Sequence, residues 1–140
     1  MNIDTNRIEI VSGSSRPPHS HKDIEILYVL EGNVDIRISE QEYSAEAQDI
    51  ILINSDEEHS FRMSEKGLVS LISIDYYELQ QTLKRSTLSF SCNSVAEPEK
   101  NYSKHRYILE AMLEKCMDET QILVFASLYY SFLEVLKTNN

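Results

Sequence analysis

Up to residue 92, apolar and polar positions along this chain alternate with a period close to two. Val34, Ile36 and Ile38 interleave with Asp35, Arg37 and Ser39, the pattern of a strand that buries one face. Comparable runs predict strands over Arg7–Val11, Ile24–Leu30, Glu42–Ala45, Asp49–Ile53, Ser60–Met63, Leu68–Tyr76 and Leu88–Cys92. Between two of them, Glu31-Gly32-Asn33 has the composition of a tight hairpin turn. Many short strands at this spacing point to a sandwich or a small barrel.

Asn93 to Asn101, which contains Pro98, reads as a linker, and beyond it the period changes. Ile108, Leu109, Met112, Leu113, Cys116 and Met117 follow helical spacing, as do Ile122, Phe125, Ala126, Tyr129, Phe132, Leu133 and Leu136. Asp118, with Gln121 three positions on, matches a helix-start capping arrangement. An antiparallel helical pair over 102–140 is the expectation. The second helix also carries Leu123, Val124, Leu128 and Val135, a stripe too broad for one neighbour. It is expected to pack on its partner helix and on a second subunit, through Ile122, Phe125, Tyr129, Phe132, Leu133 and Leu136.

The run from Gly13 to Gly32 holds the candidate chemistry. His19 and His21 are two apart, so in extended chain both rings leave one face, with Cα atoms roughly 6.6 Å apart. Glu25 has the same parity but would lie roughly 13 Å beyond His21 on a straight strand. The chain must therefore bend at the polar pair Lys22-Asp23, after which Ile24 opens a new strand. His59 lies in a second strand-turn-strand segment, Asp49 to Arg62. His19, His21, His59 and Glu25 make a mixed nitrogen and oxygen set suited to one divalent transition metal, Mn, Fe, Ni or Zn, or to a polar ligand. Glu25 serves equally well as an acceptor orienting an imidazole. Arg16 and Arg37 are candidates for an anionic ligand, with surface arginine as the plainer reading.

At these residues a family resemblance emerges. Gly13, His19, His21, Glu25 and Gly32 match every fixed position of the first motif of the cupin family. The second motif is matched in part. Its histidine falls on His59, while Gln48, Asn54, Asp56 and Met63 stand where the family has glycine, proline, glycine and asparagine. Ile-Leu-Tyr-Val-Leu-Glu-Gly, Asp-Ile-Ile-Leu-Ile-Asn and Glu-Glu-His-Ser resemble, over about residues 17–76, the amino-terminal sensor domain of AraC/XylS transcription regulators.

The resemblance implies a mainly β fold, a cupin jelly roll over 1–92 followed by the helical pair. It implies a small-molecule effector, a sugar or organic metabolite, bound near His19, His21, Glu25 and His59, and a homodimer. DNA would be reached only through a separate carboxy-terminal helix-turn-helix domain. The competing class is a stand-alone metal-dependent cupin enzyme, a dioxygenase, isomerase or decarboxylase. No Walker loop, nucleophile elbow or dinucleotide fingerprint accompanies the four residues.

Composition narrows this further. At 140 residues the chain has the size of one domain. Its 23 acidic against 13 basic residues give a net charge of -10, unsuited to direct phosphate or anionic-membrane binding. Cys92 and Cys116 form no Cys-x-x-Cys unit and read as reduced structural thiols. Met1 to Arg7 has no basic stretch leading into an apolar core, and no apolar run approaches the roughly 20 residues that cross a bilayer. A cytoplasmic protein is expected.

Overall fold

Ile24 to Val29 are all buried, whereas in Asn33–Ile38 only alternate positions are. A strand buried on both faces needs a layer on either side, and this contrast sets the architecture. In a computed structural model describing residues 8–116 and 118–138, eight strands form two antiparallel sheets. They are β1 (Ile8–Ser12), β2 (Ser15–His19), β3 (Ile24–Glu31), β4 (Asn33–Ile38), β5 (Gln41–Glu46), β6 (Ile50–Ile53), β7 (His59–Met63) and β8 (Leu68–Ile74). The helices are α1 (Tyr76–Leu83), α2 (Ser103–Lys115) and α3 (Ile122–Thr138). The first sheet runs β1-β8-β3-β6 and the second β2-β7-β4-β5.

The sheets face each other across a barrel interior of aliphatic side chains, among them Leu27, Val29, Val34, Ile36, Ile51, Val69 and Leu71, with Phe61 and Met63. The back of the first sheet presents Ile24, Ile26, Tyr28, Ile50, Leu52, Ile72 and Ile74 to the helices. There Leu109 and Met112 of α2 and Phe125, Tyr129, Phe132 and Leu136 of α3 close a second core. The fold is mainly β, a jelly roll backed by helices.

Several local expectations change. Glu31-Gly32-Asn33 does not join a hairpin: β3 and β4 lie in different sheets, and the turn is a corner between them. Gly32 has φ +72°, and a Cβ there would stand 2.8 Å from Gly67 Cα, so two backbones cross where no side chain fits. Tyr76 begins a helix rather than ending a strand, because Asp75 accepts from the Glu78 amide at 2.9 Å and caps α1. Leu88–Cys92 alternates in burial yet forms no regular strand. Instead it is stitched to β6. Asn54 donates to the Phe90 carbonyl and accepts from its amide, both at 2.9 Å, and the Leu52 amide donates to Cys92 at 2.7 Å.

The segment read as a linker is likewise held. Ser94 is buried, and its hydroxyl bridges Asp49 and the Ile50 amide. Asp118 caps the short 3-10 turn Glu119–Gln121 through the Thr120 amide and hydroxyl, ahead of α3. The first strand is described from Ile8, and Arg7 and Met117 lie outside the described residues. No helix is long and apolar enough to cross a membrane among the described residues.

Candidate metal centre

The antiparallel register of β2 and β7 pairs His19 with His59, and directly opposed residues project to the same face. After His19 the chain turns, and the Asp56 amide donates to the His21 carbonyl at 2.9 Å while Lys22 Nζ donates to Asp56 Oδ2 at 2.7 Å. That clasp carries His21 back over the barrel mouth. Glu25, second residue of β3, enters from the first sheet, with Ile53 and Ser73 as its register partners. The bend expected at Lys22-Asp23 is present.

One ring nitrogen from each of His19, His21 and His59 lies within 4.8 Å of the others. The other ring nitrogen, Nδ1, is bound in each case to a backbone carbonyl: Pro17 at 2.9 Å, Asp23 at 2.9 Å and Glu57 at 2.8 Å. A carbonyl oxygen only accepts, so Nδ1 carries the proton and Nε2 of the neutral ring keeps its lone pair. Glu25 Oε2 stands 3.6 Å from His21 Nε2 and Oε1 3.7 Å from His59 Nε2. Those separations exceed hydrogen-bond length. They are close to the roughly 3.4 Å between two donors placed about 2.1 Å from one tetrahedral ion.

His59 is 2% exposed and Glu25 6%. Buried His59 Nε2 has no hydrogen-bond partner, and a buried acceptor left unmatched is costly. Burial holds the His59 pKa below the ordinary imidazole value, against the opposing pull of the Glu57 carbonyl; the neighbouring His19 lowers it further. A neutral imidazole is the form that ligates. Three fixed Nε2 lone pairs and one carboxylate fit a divalent first-row metal.

The other sequence candidates lie elsewhere. Arg16 pairs with Glu9 at 2.5 Å and Arg37 stands 3.6 Å from Glu42. Both line an open cavity of about 480 Å³ with Arg62, to which none of the four site residues contributes. Tyr28 faces the helices and donates to Glu110 at 2.7 Å. Phe125, Tyr129, Phe132 and Leu136, read from sequence as subunit contacts, are enclosed in the chain's own core, with Ile122 and Leu133 half-buried. The apolar side chains α3 leaves outward are Leu123, Val124 and Tyr130. The sequence reading missed the clasp by Lys22 and Asp56, whose opposite charges lie 34 positions apart. Backbone carbonyls orient the rings, and these leave no mark in side-chain chemistry.

The family model described as AraC-like ligand binding domain matches residues 8–121. A search of curated proteins returns no match. Solved structures with similarity include a conserved Streptococcus pyogenes protein of unknown function, at 18% identity over 49% of this chain and 62% of that one, TM-score 0.45. A cupin-2 domain protein from Shewanella frigidimarina aligns at 24% identity over 46% and 64% of the two chains, TM-score 0.41. A predicted oxalate decarboxylase from Thermotoga maritima aligns at 24% over 48% and 62%, TM-score 0.43. The chain thus spans less than two thirds of the length of these relatives.

Proposed function

The chain belongs to the AraC-like ligand-binding domain family, and from that premise we propose that it is the ligand-sensing and dimerisation segment of a bacterial transcription regulator. His19, His21, Glu25 and His59 form its binding centre, and a separate helix-turn-helix domain carries the DNA contact. The single observation behind this is the convergence of three imidazole nitrogens within 4.8 Å of one another, two of them beside the buried Glu25 carboxylate, each ring locked by a backbone carbonyl.

When bound there, a divalent ion supplies Lewis acidity toward an oxygen-bearing ligand. The chain's own residues do the rest: the Pro17, Asp23 and Glu57 carbonyls fix the rings, and Glu25 contributes the negative charge. A net charge of -10 leaves DNA binding to another segment. A second reading, a metal-dependent cupin enzyme, draws on the donor set itself, since an ion held by these residues would supply Lewis acidity to a substrate oxygen.

One experiment separates the two. Metal content is measured on native protein and on His59→Ala, and metal-loaded samples are then incubated with sugars and small organic acids. Thermal shift reports binding and mass spectrometry reports turnover. The sensor reading expects one metal equivalent in native protein, about tenfold weaker binding in His59→Ala, and a compound that raises the melting temperature and is recovered unchanged. Consumption of that compound would establish the enzyme instead.

A further inference from the structure

We propose that the signal this segment reads is the divalent cation itself, gripped by Glu25 and reported to helix α2 through Tyr28 on the opposite face of the same strand. The inference rests on reading His19, His21, Glu25 and His59 as a metal centre.

The first argument is space. Leu27, the next inward residue after Glu25 on β3, and Ile53, its register partner on β6, are both fully buried. Beneath them Val29, Ile36, Ile51 and Val69 fill the barrel at 0–1% exposure. An organic ligand at the histidines would sit above these packed aliphatic side chains, whereas a cation fits between the rings as they stand. Ring centroids of the three histidines stand 4.2 to 5.4 Å apart, a gap of ionic size. The second argument is polarity. The three converging imidazoles and the Glu25 carboxylate beside His21 and His59 all present acceptors, which a cation satisfies.

The third argument is where Glu25 sits. On β3 the inward residues Glu25, Leu27 and Val29 alternate with the outward residues Ile24, Ile26 and Tyr28, which pack in the core shared with α2 and α3. The Tyr28 hydroxyl donates to Glu110 on α2 at 2.7 Å. One turn earlier on that helix, Arg106 Nε donates to the Gln48 carbonyl at 2.9 Å, and the Gln48 amide donates to the Val29 carbonyl at 2.8 Å. The helix therefore holds this strand at two polar points, and a load on the Glu25 carboxylate acts on the strand that both grip. Ligand binding shifts such a contact as far as its affinity differs between the two arrangements.

The test uses metal alone, Ni²⁺ and Zn²⁺ in turn, on the native chain, with hydrogen exchange read peptide by peptide. Loading is expected to slow exchange across 103–115 by about tenfold, within the usual range of coupling between sites, and to leave 33–46 unchanged. Tyr28→Phe and Glu110→Ala are each expected to bind metal within about threefold of native and to lose the protection at 103–115. Metal binding without protection at 103–115, protection spread evenly over the chain, or protection surviving in both variants would overturn the sensing route and leave the metal centre standing. Failure of native protein to bind either ion would overturn the metal centre and the inference together.

Discussion

The two apolar cores of this molecule share β3, β6 and β8, each strand feeding both from opposite faces, but reach differently along the chain. The barrel interior is made by residues between Leu27 and Leu71, with Val11 and Val95 packed against it from outside that span, whereas the interlayer core draws on Ile24 through Leu136. The barrel closes on its own strands. The first sheet cannot, because its back face of Ile24, Ile26, Tyr28, Ile50, Leu52, Ile72 and Ile74 meets helices encoded after residue 100. At roughly 1.5–3 kcal/mol for each fully buried large apolar side chain, that face would be untenable in water. The helices are part of the fold's foundation rather than an appendage.

The sharpest way to break this comparison is to cut one aromatic from each core. Phe132→Ala in the interlayer and Phe61→Ala in the barrel are each expected to cost about 3–5 kcal/mol. Urea unfolding followed by circular dichroism and tyrosine fluorescence should show one transition for both variants. A biphasic curve for Phe132→Ala, with β signal persisting after helix signal is lost, would make the helices a separable unit.

Acid distinguishes the cores more gently. His59 at the barrel mouth and His105 in the interlayer both titrate below the usual value of 6.5, burial being the leading cause, with the Arg106 charge reinforcing it at His105. Each binds a proton less readily folded than unfolded, so its neutral form contributes stability in full above about pH 6.5. That contribution declines as pH falls from 6.5 toward the depressed folded value. The urea midpoint is expected to drop between pH 7.5 and pH 5.5, with His105→Phe removing the interlayer's share of the drop. A pH-independent midpoint over that interval in native protein would refute the assignment.

The smallest expected effect lies at the exposed turn between β5 and β6. Gln48 holds φ +76°, a region that costs a side-chain-bearing residue about 1–2 kcal/mol and glycine almost nothing, against roughly 0.5–1 kcal/mol of glycine's chain entropy. Gln48→Gly keeps the backbone bonds to Val29 and Arg106. It is expected to raise unfolding free energy by about 0.5–1 kcal/mol, measured by the same urea titration, and a loss of stability would show that the Gln48 side chain matters.

Gln48 also shows what was legible in the sequence. The first motif was readable because His19, His21 and Glu25 sit at spacings that strand geometry and one turn convert directly into convergence. In the second, Gln48 and Asp56 stand where the family has glycine, yet both keep positive φ, +76° and +66°. Positive φ is the conformation glycine adopts at least cost, so a turn shape suited to glycine is present here without one and leads into His59. Helix α1 escaped notice because Tyr76-Tyr77 continues the strand-like run before it. Its signal was Asp75 with Glu78 three positions on. Leu88–Cys92 misled for the converse reason: alternation reports one buried face and carries no information on whether a ladder partner exists. The broad stripe of α3 was read as facing a partner helix and a second subunit, and its deepest residues face its own sheet and helix. Only the three-dimensional layering separates Phe125 from Leu123, which is 82% exposed.

The stitching of Leu88–Ser94 onto β6 also bears on how this molecule behaves in a crowd. A sheet's outermost strand is a template on which any extended peptide can polymerise. Here the β6 margin is occupied by the chain itself, through Asn54, Leu52 and the Ser94 amide on Ile50. In the second sheet β2 presents Pro17 and Pro18 and β5 the charged Glu42 and Glu46. An acceptor of foreign strands has been turned, at these three margins, into a surface that resists fibril growth, so any edge-to-edge recruitment of copies is narrowed to β1 among the described strands.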